Sequence, residues 1–228
     1  MLSASALASK LEVVAVLEGH AGCVNSVRWH EEGQLLLSGS DDRRVGIWDV
    51  SGRHLAFART THSHNIFDAH FVPASSSKIA TCGADGRVGL VEDLERGTPK
   101  TLFFARDVET IASKLSFFSP TDFLVAFSDG AVRAFDLRTN KHRSVLHLST
   151  GCAAVDVKPD DSKTFALGAD DKFLRICDLR MQAVKQHAAA AAKSHSQNED
   201  FDDEDDDDDD DDNDEEEDDD EDLDDDDD

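Results

Sequence analysis

Asp42-Arg43-Arg44-Val45-Gly46-Ile47-Trp48-Asp49 returns three more times in altered form: Asp85-Gly86-Arg87-Val88-Gly89-Leu90-Val91-Glu92, Asp129-Gly130-Ala131-Val132-Arg133-Ala134-Phe135-Asp136 and Asp171-Lys172-Phe173-Leu174-Arg175-Ile176-Cys177-Asp178. The leading aspartates, Asp42, Asp85, Asp129 and Asp171, follow one another at an almost constant interval. Each precedes, by the same offset, an apolar residue that is followed at once by an acid. A spacing kept four times is a repeat, and each repeat is one supersecondary unit.

Every unit carries strand signals. In the first, Val24 to Trp29 alternates, Leu35-Leu36-Leu37-Ser38 is a second apolar run and Val45 to Trp48 a third, with Gly33 and Asp41-Asp42 as punctuation. The fourth repeats this with Ala153 to Val157, Pro159-Asp160-Asp161, Thr164 to Gly168 and Phe173 to Cys177. Several short strands per unit, Gly19-His20 near the start and Trp48-Asp49 at the end are the marks of a propeller blade.

Charge divides the chain in two. Its 228 residues hold 23 Lys+Arg against 50 Asp+Glu, for a net charge of −27. Every position from Glu199 to Asp228 is acidic except Phe201, Asn213 and Leu223, and the residues before them hold acids and bases in equal number. The head is neutral, which excludes a basic nucleic-acid-binding domain and argues against direct sequence-specific recognition of nucleic acid. No apolar stretch approaches the roughly 20 residues that span a bilayer. The start, Met1 to Ala8, lacks a basic region ahead of its apolar residues, so a secretory signal is not expected. Cys23, Cys82, Cys152 and Cys177 are far apart with no CxxC pair and read as buried, reduced thiols, placing the protein in the nucleus or the cytoplasm, or both.

Gly19-His20 with Trp48-Asp49 resembles the WD-repeat family, and the resemblance covers residues 11–180. Repeat 2 keeps His62 and Thr81 but has Val91 for Trp; repeats 3 and 4 have Phe135 and Cys177 there. The resemblance implies an all-β fold, a β-propeller of about four blades near 17–50, 59–94, 105–138 and 146–180. Residues 1–10 are expected to be flexible, 181–197 an Ala-rich linker or short helix, and 198–228 a disordered poly-acidic tail with almost nothing to bury. Leu11 to Leu17 alternates like a strand; in family members such a strand completes the last blade and closes the ring. Four blades could close on themselves, but the spacing resembles seven-blade units, whose wedge angle does not suit closure at four. A partial propeller, an open arc shortened from a seven-blade type, is therefore expected.

His20, Ser38 and Asp42 together look like a hydrolase triad. No nucleophile elbow or oxyanion loop accompanies them. In WD repeats these positions, with Trp48, form a hydrogen-bonded chain that fixes a turn against the strands, and His62, Thr81 and Asp85 are their counterparts in repeat 2. His62, His64, Asp68 and His70 read as a turn histidine and strand residues, not as a metal cluster. No catalytic arrangement, metal or cofactor is expected.

Repeats 3 and 4 close on Phe135-Asp136-Leu137-Arg138 and Cys177-Asp178-Leu179-Arg180. An Asp-x-Arg ending is similar to the box of substrate receptors that dock on damaged-DNA-binding protein 1, the adaptor of cullin-4 ubiquitin ligases. Leu17 to Asn25, Ser38 to Asp42, His64 to Phe71 and Phe173 to Asp178 further resemble the branch of cullin-4-associated factors six and eight. The resemblance implies that Asp136, Arg138, Asp178 and Arg180 bind the adaptor, each guanidinium pairing bidentately with a partner carboxylate or backbone carbonyls. It also implies a ubiquitination substrate as a second partner. Ser51 and Leu94 stand where repeats 1 and 2 would carry the Arg. The alternative is a WD-repeat scaffold, or a histone or ribosome-assembly chaperone, whose acidic tail holds basic proteins.

Overall fold

The computed structural model describes residues 12–94, 98–105, 107 and 109–181; the expectations for 1–10, for the linker beyond Met181 and for the acidic tail lie outside them. The described residues form fifteen strands in four antiparallel sheets. The first sheet holds β1 (Val24–Trp29), β2 (Leu35–Ser40), β3 (Arg44–Asp49) and β4 (His54–Arg59) in that order. The second holds β5 (Ile66–Phe71), β6 (Ile79–Gly83), β7 (Arg87–Val91) and β8 (Pro99–Phe104). The third holds β9 (Ala112–Phe117), β10 (Asp122–Phe127), β11 (Ala131–Asp136) and β12 (Lys141–His147). The fourth has only β13 (Cys152–Val157), β14 (Thr164–Ala169) and β15 (Leu174–Asp178).

Each sheet is offset from the sequence repeat by one strand. The fourth strand, such as β4, pairs backward onto β3 although it follows the Trp48-Asp49 ending of its unit. The four sheets thus run over 24–59, 66–104, 112–147 and 152–178, against sequence repeats near 17–50, 59–94, 105–138 and 146–180.

Alternation within the strands sends apolar residues to both faces, and the core is three layers between successive sheets. Val45 and Ile47 of β3 pack with Ile66, Ala69 and Phe71 of β5. Val88 of β7 packs with Ala112, Leu115 and Phe127 of the third sheet. Val132 and Ala134 of β11 pack with Cys152, Val155 and Val157 of β13. Bulges near the start of β1, β5 and β13 break the strand alternation, so Ile66 comes onto the same face as Ala69 and Phe71.

Glu12 to Leu17, read from its alternation as a strand, forms none. Ala15 and Leu17 instead lie beside Gly52, in the turn between β3 and β4. The cysteines also depart from expectation: Cys82 and Cys152 are buried, but Cys177 is half-buried and Cys23 exposed. Cys23 lies one residue before β1, outside the strand.

Candidate protein-interaction rim

The turns sort onto two rims. One carries the β2–β3, β6–β7, β10–β11 and β14–β15 turns, each led by one of the repeated aspartates. There Asp42 Oδ2 lies 2.8 Å from His20 Nδ1, and His20 Nε2 lies 2.7 Å from Ser38 Oγ. Trp48 Nε1 donates to the same Ser38 oxygen at 2.9 Å. In the neutral ring, the carboxylate accepts from Nδ1–H, and Nε2 is left to accept from the serine hydroxyl. Burial pushes the Asp42 carboxyl up, but hydrogen bonds from His20, Ala21 and Arg44 outweigh it and hold it well below the usual carboxylate range.

The second sheet builds the same device with Thr81 for serine: His62 Nδ1 is 2.8 Å from Asp85 Oδ1 and His62 Nε2 is 2.9 Å from Thr81 Oγ1. Burial again raises Asp85, and His62 and the backbone of Ser63 and Arg87 bring it down to about 2. Val91 at the indole position leaves this network one member shorter. In the third and fourth sheets the turn acids take arginine instead: Arg133 Nη2 donates to Asp129 at 2.7 Å, and Arg175 Nη2 to Asp171 at 2.5 Å.

The resemblance of His20, Ser38 and Asp42 to a triad extends to the distances, yet the serine is a strut. Ser38 is buried, its oxygen also faces the Gly46 carbonyl at 3.4 Å, and a Cβ added to Gly46 would fall 2.7 Å from it. A substrate carbonyl has no approach to a hydroxyl enclosed in this way. His62 is likewise committed to Thr81 and Asp85, and Asp68 and His70 lie on β5.

The opposite rim carries the Asp-x-Arg endings. Asp136 Oδ1 accepts from the Arg138 backbone N–H at 2.8 Å and from its Nε at 3.2 Å, while Oδ2 takes Nη2 at 3.2 Å. Asp178 holds Arg180 the same way, at 2.8 Å from the backbone, 2.9 Å from Nε and 2.6 Å from Nη2. The intervening leucines decide the orientation. Leu137 packs against the layer between sheets two and three and Leu179 against that between three and four, so acid and arginine are turned outward. The Arg138 and Arg180 side chains remain 69% and 63% exposed despite their pairing. Arg180 is the main cause that brings the Asp178 carboxyl to about 2, and Arg138 lowers Asp136 in the same way.

Sequence reasoning missed a third member of this rim. Where the first repeat has Ser51, the serine caps Asp49 at 2.6 Å and Arg53, just beyond it, donates Nε to Asp49 Oδ2 at 3.0 Å. The first sheet thus presents an arginine on a strand-end aspartate as the third and fourth do, from the far side of its turn. In the second sheet the residues after Leu94, 95–97, lie outside the described residues.

A cross-sheet cluster was also missed. The buried Asp68 of β5 stands 3.9 Å from Arg28 of β1, 3.4 Å from His70 and 3.8 Å from Lys114 of β9. Arg28 Nε donates to His70 Nε2 at 2.9 Å. The carboxylate therefore ties the inner strands of three sheets together, and despite its burial His70, Lys114 and Arg28 lower its pKa. Its partners come from three repeats, so no local motif announces them.

Residues 11–49 match the family model of the WD domain, G-beta repeat. The human WD and tetratricopeptide repeats protein 1 is 36% identical over 185 residues, covering 75% of this chain and 27% of that protein. The human DDB1- and CUL4-associated factor 6 is 31% identical over 187 residues, covering 75% of this chain and 21% of that protein. The chain thus spans about a quarter of the length of these curated relatives. Among solved structures, the WD40 β-propeller domain of Doa1 superimposes with a TM-score of 0.62 at 21% identity, over 73% of this chain and 53% of that one. Successively layered antiparallel sheets, histidine–aspartate turns on one rim and the matched repeat model agree: the chain belongs to the WD-repeat β-propeller family.

Proposed function

We propose that this chain is a non-enzymatic receptor module of a cullin-4 ubiquitin ligase, docking on the damaged-DNA-binding protein 1 adaptor through Arg138 and Arg180 and holding a ubiquitination substrate elsewhere on the propeller. One observation carries the reading: the third strands of two adjacent sheets run into the same Asp-Leu-Arg turn, each guanidinium aimed by its own aspartate and still mostly in solvent. A pre-aimed planar donor loses little freedom on meeting a carboxylate or a row of carbonyls, which favours docking. The similarity to a relative named for the adaptor and for cullin-4 supports the assignment. The nucleus and the cytoplasm are the compartments this reading allows.

The test is co-purification of the adaptor from cells with the full chain carrying Arg138→Ala and Arg180→Ala. Loss of the adaptor with an unchanged melting temperature is the expected result; undiminished recovery would refute the assignment. A second reading rests on the tail, whose nearly unbroken run of acids from Glu199 to Asp228 would hold histones or other basic proteins electrostatically. Deleting 199–228 separates the two readings, because adaptor binding should persist while salt-sensitive binding of basic proteins should vanish.

A further inference from the structure

The three internal layers between sheets follow one rule. The third strand of each sheet presents apolar residues to the first strand of the next: Val45 and Ile47 to β5, Val88 to β9, Val132 and Ala134 to β13. At the two ends of the series the same positions face solvent. Leu174 and Ile176 of β15, the counterparts of Val45 and Ile47, are 75% and 71% exposed. Val24, Val27 and Trp29 of β1, the counterparts of Ile66, Ala69 and Phe71, are 51%, 56% and 60% exposed. The chain therefore carries both halves of one further layer, at opposite ends.

The backbone has the same asymmetry. The fourth sheet stops at β15, so one edge is unpaired among the described residues, while Glu12 to Leu17 has strand alternation and pairs with nothing described. Val13, Val14 and Val16 in it are 82%, 97% and 76% exposed. The offsets identify what this segment is. The outermost strand of each complete sheet begins at a nearly constant distance before the first strand of the following sheet, as His54 does before Ile66, Pro99 before Ala112 and Lys141 before Cys152. Counting the same distance back from Val24 gives Glu12. By its place in the repeat, 12–17 is the outer strand of whatever sheet packs in front of β1.

We propose that this sheet is the fourth sheet of a second copy. Two chains associate head to tail, the β1 face of each covering the β15 face of the other, and residues 12–17 of each copy pair with the open β15 edge of its partner. Both orphan faces and both orphan edges are then satisfied by groups the chain itself supplies. The interface repeats a layer the fold already builds three times. It is heterologous, so a pair exhausts both ends only if it closes; a non-closing geometry would grow instead.

Sedimentation velocity and light scattering on the full chain test this, in reducing buffer so that exposed Cys23 cannot link copies. The expected species has twice the 24.9 kDa protomer mass at roughly 10 µM protein and persists as salt is raised to screen the tails. Ile176→Asp and Trp29→Asp each reduce it to a monomer with unchanged circular dichroism, since both side chains face water in the single chain. Val14→Pro, which removes a strand donor from 12–17, weakens pairing at least tenfold. Mixing Ile176→Asp with Trp29→Asp restores a one-to-one complex, because one of the two interfaces is then unaltered. A monomer throughout, a growing series of larger species, a pair lost on adding salt, or a pair indifferent to these substitutions overturns the proposal.

Discussion

Trp48 and Ser38 lie on adjacent strands of the first sheet, and the indole Nε1–H donates to the serine oxygen across 2.9 Å. His20 reaches the same oxygen from the other side at 2.7 Å. One small hydroxyl therefore satisfies two buried ring nitrogens, and its counterpart Thr81 satisfies one, at 2.9 Å from His62 Nε2. Truncation should reveal the difference. A buried polar group left unpaired costs about 1–3 kcal/mol. Ser38→Ala should thus cost about 3 kcal/mol and the isosteric Thr81→Val about 1.5 kcal/mol. Urea unfolding of both variants measures this, and equal losses would mean that the indole bond contributes nothing.

The acid limb of the stability curve should belong to the turn aspartates. Burial raises the Asp85 carboxyl, but bonds to His62 and the backbone overcome that and hold it at about 2 against an ordinary 3.8. A folded value below the unfolded one means that the stabilisation is complete above about pH 5 and fades as pH falls from about 4 to about 2. After allowance for solvent screening it is on the order of 1–2 kcal/mol. Asp85→Asn should lower stability at neutral pH and flatten the fall below about pH 4, read from urea midpoints across that range. An unchanged slope would place the acid sensitivity elsewhere.

The repeat itself was legible because Asp42, Asp85, Asp129 and Asp171 mark a turn of fixed geometry, and three strands per unit are bounded by such turns. The fourth strand was not. His54–Arg59, Pro99–Phe104 and Lys141–His147 are outer edges with largely solvated residues, so neither alternation nor punctuation sets them off. Arg53 escaped notice for a related reason: it joins Asp49 across the whole turn, whereas the box places its arginine nearer the acid. The pairs Asp136–Arg138 and Asp178–Arg180 are local and could be read directly.

Position 43 offers a gain in stability. Arg43 has φ of 67°, and the turns of the second and third sheets place Gly86 and Gly130 there with φ of 66° and 85°. A side chain in the left-handed region costs about 1 kcal/mol that glycine avoids, partly offset by the greater freedom of unfolded glycine. Arg43→Gly should raise stability by about 0.5 kcal/mol, visible as a melting temperature higher by about 1–2 °C. A lower melting temperature would show that the Arg43 side chain contributes more than its strain removes.

Asp68 should be the most sensitive polar residue of the inner strands. Its carboxylate is buried, faces Arg28, His70 and Lys114, and accepts the Leu115 N–H at 3.3 Å. Asp68→Asn leaves three basic side chains around a neutral amide, a loss of about 3 kcal/mol. Arg28→Met removes a partner that is half in solvent and should cost under about 1 kcal/mol. Comparing both by urea unfolding checks the asymmetry; similar losses would mean that the buried carboxylate charge weighs no more than one of its half-exposed partners.

Asp178 separates orientation from charge on the docking rim. The carboxylate clamps the Nε and Nη2 of Arg180, and its removal leaves the arginine present but free to turn. An exposed pair contributes little to folding, so Asp178→Asn should leave the melting temperature within a degree or so. If the adaptor reads a pre-aimed guanidinium, affinity should fall by about tenfold, through the ordering the arginine must then undergo. Arg180→Lys should fall at least as far, since an ammonium keeps the charge and loses the fork. Titration of the purified adaptor against the three proteins decides the matter. Full affinity in Asp178→Asn, together with a loss in Arg180→Lys, would assign recognition to the arginine without help from its aspartate.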